Sequence, residues 1–129
     1  MSNTEVYNWS DKVILVVEDE EVNTYFFQAA LRKTEAKLLF ASSGREAIDL
    51  ATSDTHIDLI LMDIRLPELD GYEATRQIKE KRPEIPIVAQ TAYAMANERE
   101  NILKAGCNDY ISKPIRFKVL MDTIAKYLD

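Results

Sequence analysis

Short apolar segments alternate along the chain with longer segments of helical periodicity. The apolar segments are Val13–Val17, Lys37–Phe40, Asp58–Met62, Ile85–Ala89 and Tyr110–Ile111. The first, third and fourth are almost continuously aliphatic, which is typical of strands that are buried on both faces of a parallel sheet. We therefore predict five strands that pair in a parallel sheet.

The segments between these strands carry apolar residues at the spacing of an α-helix. Ser43 begins a capping box at the start of the second helix. Gly71 precedes a helix over Tyr72–Lys81, and Gly106 ends a helix that begins at Met95. The repeated strand–helix order predicts a single α/β domain with a parallel sheet and right-handed crossovers.

The first and last helices have recognisable apolar stripes. The first stripe consists of Val22, Phe26, Ala29 and Ala30, and the last of Phe117, Leu120, Met121, Ile124 and Leu128. Phe27 and Val119 fall outside these stripes and could be exposed, while Tyr25 could extend the core face of the first helix. Residues 1–10 are predicted to be an amino-terminal tail before a domain over residues 11–129. Trp9 could fold back onto that domain or be exposed.

Composition and charge narrow the classes of function. The 129 residues are 47% hydrophobic and 29% charged, which is ordinary for one soluble globular domain. The net charge of −6 disfavours direct binding to nucleic acid or to anionic membranes. A single cysteine excludes an internal disulfide and favours a reducing compartment. Because the chain shows neither a signal peptide nor an apolar run of ~20 residues, we expect a cytoplasmic protein without membrane contact.

Polar residues follow the predicted strands at the same end of each strand. They are Glu18–Glu20 after the first strand, Asp63 after the third, Gln90–Thr91 after the fourth and Ser112–Pro114 after the fifth. In an open parallel sheet, ligands bind in the crevice outside the carboxyl ends of the strands. We therefore expect acidic side chains, a hydroxyl and an ammonium group at the edge where chemistry takes place.

These groups have the chemistry of a phosphoacceptor site. Carboxylates that are brought close together repel one another unless a cation lies among them. Oxygen ligands with open positions suit Mg²⁺, which keeps waters and substrate phosphate as ligands. An Asp carboxylate can attack phosphorus to form an aspartyl phosphate. A Lys ammonium and a Thr hydroxyl can then stabilise the phosphoryl oxygens.

Four separated motifs carry a resemblance to a known family. They are Val16–Glu20, Leu61–Glu73, Thr91–Tyr93 and Ala105–Pro114. In this order the motifs resemble the receiver domain of two-component response regulators, and the receivers of hybrid sensor histidine kinases in particular. The resemblance covers about residues 11–129. It implies a flavodoxin-like doubly wound fold, with a five-stranded parallel sheet in the order 2-1-3-4-5 and helices on both faces.

The resemblance also implies a site for Mg²⁺, or for Mn²⁺ in its place. Asp63 would be the phosphoacceptor and a metal ligand. Asp19 would bind the metal directly, Glu18 would act mostly through water, and the backbone carbonyl of Arg65 would complete the protein ligands. Many receivers have two Asp residues where this chain has Glu18 and Asp19, and this departure could change the metal affinity slightly.

Further residues are assigned roles around the phosphoryl group. Thr91 and Lys113 would contact it, and Tyr110 would be the aromatic switch residue that moves with Thr91. The Lys113–Pro114 peptide bond would be cis. Tyr93 and Pro114 would flank the site.

The expected function is a signalling switch in a phosphorelay, alone or within a hybrid kinase. It would not be a conventional enzyme, although it would catalyse its own phosphorylation and dephosphorylation. The partner would be a histidine kinase or a histidine phosphotransfer domain, and the phosphorylated protein could dimerise. The alternative is a Mg²⁺-dependent phosphohydrolase of small molecules, which usually has an acid where this chain has Arg65. A flavin-binding module would need a phosphate-binding loop where Glu18–Glu20 stand.

Overall fold

Strands and helices alternate along the chain in the computed structural model, which describes residues 7–92 and 96–129. The strands are β1 (Val13–Val17), β2 (Lys37–Ala41), β3 (Leu59–Asp63), β4 (Ile87–Thr91) and β5 (Asp109–Ser112). The helices are α1 (Glu21–Leu31), α2 (Gly44–Ala51), α3 (Gly71–Lys81), α4 (Ala96–Ala105) and α5 (Phe117–Leu128), and a 3₁₀ turn over Arg32–Thr34 follows α1. None of the helices in these ranges has the length and apolar character needed to cross a membrane.

The sheet is parallel throughout, with the strand order β2-β1-β3-β4-β5. Two separate clusters of buried side chains cover its two faces. One cluster includes residues of α2, α3 and α4, and the other includes residues of α1 and α5. The predicted flavodoxin-like doubly wound fold, with strand order 2-1-3-4-5 and helices on both faces, is therefore confirmed.

The fourth strand starts two residues later than the apolar segment predicted. We expected Ile85–Ala89, whereas β4 begins at Ile87 and ends at Thr91. Pro86 has no backbone N–H to donate to a ladder, and its carbonyl accepts from the amide of Ile60 at 3.0 Å. This shift places Thr91 inside the sheet, at the last position of the strand.

Helix α1 is rotated relative to the apolar stripe that we predicted. Phe27 and Leu31 are buried, each with 1% exposure, so the expectation that Phe27 could be exposed was wrong. Val22 and Tyr25 are instead 69% and 61% exposed. Phe27 and Leu31 are one helical turn apart and lie on the same face of the helix, toward the sheet. The start of α1 therefore presents apolar side chains to solvent.

Helix α5 follows the predicted stripe except at its first residue. Leu120 and Ile124 are fully buried, as expected, whereas Phe117 is largely exposed. Val119 lies off the stripe and is exposed, which confirms that interpretation. The start of α5 thus contributes apolar surface of its own.

Trp9 folds back onto the domain and belongs to its core, which is one of the two arrangements that the sequence allowed. Its side chain is buried and stacks on Tyr7 with ring centroids 4.9 Å apart. Its indole Nε1 donates to Asp129 Oδ1 at 2.8 Å, and its backbone amide donates to the Thr34 carbonyl at 2.8 Å. A buried indole needs a partner for its N–H group, and here Asp129 supplies it.

The burial of Trp9 leads to a first prediction. Trp9→Ala should lower the free energy of unfolding by about 3 kcal/mol, because it removes a large buried ring and leaves a cavity. Chemical denaturation followed by circular dichroism measures this change. Val119→Ala, at an exposed apolar position, is the control and should stay within about 0.5 kcal/mol of the native protein. Equal stability of the two variants would contradict a structural role for Trp9.

Candidate functional site

Carboxyl ends of adjacent strands bring the predicted acidic residues together. Asp63 is the last residue of β3, and Glu18 and Asp19 directly follow β1, which pairs with β3. Each of the three carboxylates offers an oxygen that lies within 4.8 Å of the others. Glu18 and Asp63 are each only 2% exposed, whereas Asp19 is exposed. The three acids thus form one half-open carboxylate cluster.

This carboxylate cluster fits a hard divalent cation. Its donors are all carboxylate oxygens, and buried Glu18 Oε1 has no hydrogen-bond partner among the described residues. A buried carboxylate oxygen without a donor is costly unless a cation compensates it. Glu18, Asp19 and Asp63 could therefore hold Mg²⁺, while a role for the Arg65 backbone carbonyl in that site stays a prediction.

Lys113 is the cation that the structure places beside the cluster. Its Nζ lies 3.2 Å from Asp63 Oδ2 and 3.9 Å from Glu18 Oε1. The backbone amide of Lys113, just beyond β5, donates to the Thr91 carbonyl at 2.7 Å, and the Lys113–Pro114 peptide bond is cis as predicted. Lys113 therefore pairs with the two buried carboxylates of the cluster.

The second oxygen of Asp63 is held by the backbone that follows β3. Asp63 Oδ1 accepts from the Arg65 amide at 3.0 Å. The Arg65 side chain is exposed and lines an open cleft of about 500 Å³ together with Asp19 and Tyr72. The loop returns at Gly71, whose amide donates to the Ile64 carbonyl at 3.1 Å. The Asp63 carboxylate is therefore fixed at both oxygens and lies beside an open cleft.

Burial and charge act together on Glu18. The pKa of its carboxyl is raised above the ordinary value, chiefly because burial removes water and also because the Asp63 carboxylate is close. A hydrogen bond with Asn23 and the charge of Lys113 oppose this shift. Ionised Glu18 is thus destabilising in the absence of a further cation.

Thr91 lies at the end of β4, and its hydroxyl contacts a residue that the sequence analysis missed. Thr91 Oγ1 donates to Glu98 Oε1 at 3.2 Å, and Tyr72 Oη donates to Glu98 Oε2 at 2.6 Å. Glu98 lies in the first turn of α4, where an acid is common at a helix amino terminus. Nothing in the sequence pattern distinguishes it from Glu100, the other acid of that helix.

The remaining predicted residues differ in how far the structure describes them. Tyr110, in β5, is half-buried against the core cluster on the α2–α3–α4 face. Pro114 is exposed and lines a pocket with Lys113. Tyr93, which we expected to flank the site, and Met95, where α4 was expected to begin, lie outside the described residues.

Comparison with known sequences identifies relatives over nearly the whole chain. A family model for the response regulator receiver domain matches residues 14–125. The polar-differentiation response regulator DivK of Brucella ovis is 43% identical over 119 residues, which are 91% of this chain and 96% of DivK. DivK of Brucella anthropi is 40% identical over 119 residues, with the same coverage.

Solved structures show the same fold. The receiver domain of a sensor histidine kinase from Pseudomonas aeruginosa PAO1, with a magnesium ion coordinated in the active site cleft, matches with a TM-score of 0.83 and 40% identity, covering 91% of this chain and 97% of that one. The complex of the Saccharomyces cerevisiae histidine phosphotransfer signaling protein Ypd1 with the receiver domain of its downstream response regulator Ssk1 gives a TM-score of 0.88 at 29% identity, covering 96% and 92%. The chemotaxis protein CheY4 of Vibrio cholerae, 21% identical with a TM-score of 0.83, shares the fold and covers 91% and 98%.

These matches agree with the position of the acidic and basic side chains at one edge of the sheet. They give no support to the alternative of a phosphohydrolase. The match of the family model over most of the chain and the identity to DivK together determine the family. The chain belongs to the response regulator receiver domain family, and it is a regulatory signalling domain of a two-component system rather than a conventional enzyme.

Proposed function

We propose that this receiver accepts a phosphoryl group on Asp63 from a phosphohistidine donor and thereby changes its affinity for partners. The observation that carries the proposal is the Asp63 carboxylate, whose two oxygens contact Lys113 Nζ at 3.2 Å and the Arg65 amide at 3.0 Å. These contacts hold a buried nucleophile in one orientation beside a cation, as attack on phosphorus requires.

The transfer is a simple exchange of bonds at phosphorus. The P–O bond to Asp63 forms while the P–N bond to the donor imidazole breaks, so no other group is released. The Lys113 ammonium stabilises the negative charge on the oxygens of the transferred phosphoryl group. A Mg²⁺ ion would supply further neutralisation of these oxygens, with Glu18, Asp19, Asp63 and the backbone carbonyl of Arg65 as its protein ligands. Hydrolysis of the aspartyl phosphate by water would return the receiver to its initial state.

The conformational response would run through Thr91 and Tyr110. A phosphoryl oxygen would accept a hydrogen bond from the Thr91 hydroxyl, and half-buried Tyr110 would move with Thr91. The surface built from α4, β5 and α5 exposes the apolar side chains of Leu103, Phe117 and Val119. A conformational change there would alter an apolar area on which partners or a second receiver could bind. Phosphorylation shifts this two-state equilibrium only if the phosphoryl group interacts better with one state.

The phosphohistidine donor would approach along the exposed start of α1. Val22 lies on a pocket of about 290 Å³ that Lys113, Pro114 and Ile115 also line. Because Lys113 contacts Asp63, this pocket opens next to the phosphoacceptor. Apolar surface beside a reactive centre is typical of a docking site for a protein partner.

Two related structures support this proposal. The related Pseudomonas aeruginosa receiver has magnesium in its active site cleft, and the related Ssk1 receiver forms a complex with a histidine phosphotransfer protein. We extend both properties to this chain, with Mg²⁺ at the carboxylate cluster and a histidine phosphotransfer domain or a histidine kinase as the donor.

Phosphorylation of Asp63 can be measured with a small phosphodonor. Incubation with Mg²⁺ and acetyl phosphate should add one phosphoryl group to the intact mass, and a chelator should prevent this. Asp63→Asn should abolish the addition, because the amide is a poor nucleophile. Asp49→Asn, which removes the same charge at an exposed position on α2, should be phosphorylated like the native protein. Continued labelling of Asp63→Asn would refute the assignment of the acceptor.

Replacement of Glu18 should affect the stability of the metal-free protein and the stabilisation by Mg²⁺ in opposite directions. Glu18→Gln should raise the thermal midpoint of the metal-free protein at neutral pH, because burial and Asp63 make the ionised carboxyl unfavourable. The folded-state pKa lies above the unfolded one, so the native protein loses stability as the pH rises through that interval. The advantage of the variant should therefore shrink as the pH is lowered toward the ordinary pKa of 4.5.

The same variant should gain less stability from Mg²⁺ than the native protein, because one of the three carboxylates is lost. Thermal melts with and without Mg²⁺ measure both effects. Glu20→Gln is the matched control, since Glu20 is exposed, follows Asp19 and lies outside the carboxylate cluster. Equal Mg²⁺ stabilisation of the native protein and Glu18→Gln would exclude Glu18 from the metal site.

The docking role of α1 predicts different results with protein and small-molecule donors. Val22→Asp should slow transfer from a phosphorylated histidine phosphotransfer domain by about tenfold, because a charge enters an apolar contact. Labelling by acetyl phosphate should change little. Asn8→Asp, which adds the same charge at an exposed position before β1, should leave both rates near the native values. If Val22→Asp slows both donors equally, its effect lies in the site and not in docking.

A further inference from the structure

Glu98 connects three elements around the phosphoacceptor. Its two carboxylate oxygens accept from Thr91 Oγ1, at the end of β4, and from Tyr72 Oη, at the start of α3. Glu98 itself stands in the first turn of α4. This half-buried carboxylate therefore links α4 to the edge of the sheet. Hydrogen bonds to a charged carboxylate are stronger than hydrogen bonds between neutral groups.

The hydroxyl of Thr91 can donate one hydrogen bond, and in the structure it donates to Glu98 Oε1 at 3.2 Å. A phosphoryl group on Asp63 carries three acceptor oxygens and would accept a hydrogen bond from the same hydroxyl. The two acceptors cannot both receive it at once. Glu98 and the phosphoryl group are therefore competitors for Thr91.

We infer that Glu98 is a positioning residue that retains the Thr91 hydroxyl in the unphosphorylated receiver and has to release it on phosphorylation. This inference rests on the proposed phosphorylation of Asp63. It assigns to one side chain of α4 a part in setting the balance between the two states. Release of the bond would also remove this link between the start of α4 and the end of β4.

Tyr72 strengthens the hold of Glu98 on its position. The pKa of the Tyr72 hydroxyl is raised, first by burial and then by its hydrogen bond to Glu98, so Tyr72 remains a proton donor at neutral pH. With one oxygen bound to Tyr72 at 2.6 Å, the other oxygen of Glu98 stays within reach of Thr91. Tyr72 and Thr91 thus fix the carboxylate at both oxygens.

Electrostatics favours the same sequence of events. Once Thr91 turns to the phosphoryl group, Glu98 loses the hydrogen bond from Thr91, and an anion is added at the end of β3. Like charges repel one another, and more strongly where solvent screens them poorly. The anionic phosphoryl group would therefore take the Thr91 hydrogen bond from Glu98. It would also destabilise the Glu98 carboxylate in its original position.

The test measures binding of beryllofluoride, a mimic of the phosphoryl group on aspartate, in the presence of Mg²⁺. Glu98→Ala should bind beryllofluoride about tenfold more tightly than the native protein, as expected for the loss of one competing hydrogen bond to a charged group. Glu98→Gln keeps an acceptor without charge and should give a smaller gain. Tyr72→Phe should also give a smaller gain in the same direction. Fluorine NMR or calorimetry gives the dissociation constants.

Two controls separate this role from a general structural effect. Glu100→Ala removes the same charge two residues further along α4, where Glu100 pairs with Lys104 at the surface, and should bind beryllofluoride like the native protein. In a Thr91→Ala background, Glu98→Ala should have no further effect, because the contested proton is already absent. Mg²⁺ affinity measured without beryllofluoride should be the same in Glu98→Ala and Glu100→Ala.

The outcomes distinguish the inference from the function on which it rests. If Glu98→Ala and Glu98→Gln bind beryllofluoride no more tightly than Glu100→Ala, or if the gain persists in Thr91→Ala, Glu98 does not act through Thr91. If the native protein neither binds beryllofluoride nor accepts phosphoryl from acetyl phosphate, the proposed function fails, and the role of Glu98 fails with it.

Discussion

Repulsion among three carboxylates is the constraint around which this receiver is arranged. Glu18, Asp19 and Asp63 meet at the ends of two adjacent strands, and two of them are almost fully buried. Only the alignment of parallel strands brings Lys113 from beyond β5 to within 3.2 Å of Asp63. The ammonium of Lys113 pairs with two of these carboxylates, and buried Glu18 Oε1 has no hydrogen-bond partner among the described residues, so the site favours a divalent cation and a group that such a cation stabilises. Burial raises the pKa of Glu18, and the nearby Asp63 carboxylate adds to this shift.

Much of this arrangement could be predicted because it depends on local pattern. Aliphatic segments that are followed by acids or by Lys113 predict parallel strands whose carboxyl ends lie at the same edge of the sheet. That prediction needs no knowledge of packing. The position of β4 was wrong by two residues because Pro86, which cannot donate to the ladder, lies within the apolar segment. For Thr91 the error matters, since the residue ends the strand instead of following it.

Other features depend on packing between distant parts of the chain and leave no local signal. The face of α1 was wrong because Phe26 and Phe27 are adjacent and equally apolar, and only contact with the sheet selects Phe27. Trp9 donates to Asp129 across 120 positions, and Tyr72 donates to Glu98 across 26. Such partners are chosen by the assembled fold, so polar residues that act through them are the hardest to find in a sequence.

Gly71 allows α3 to begin directly against the strand that carries Asp63. A Cβ at this position would clash with the Asp63 carbonyl oxygen and would lie 2.7 Å from Ile64 Cα, so the start of α3 is in backbone contact with the end of β3. Helix α4 contacts the same edge through the side chain of Glu98, which accepts a hydrogen bond from Thr91. A negative charge gained at Asp63 would therefore act between a helix whose start is packed against the backbone of β3 and a helix that a side-chain hydrogen bond joins to β4, and α4 would be the easier of the two to displace.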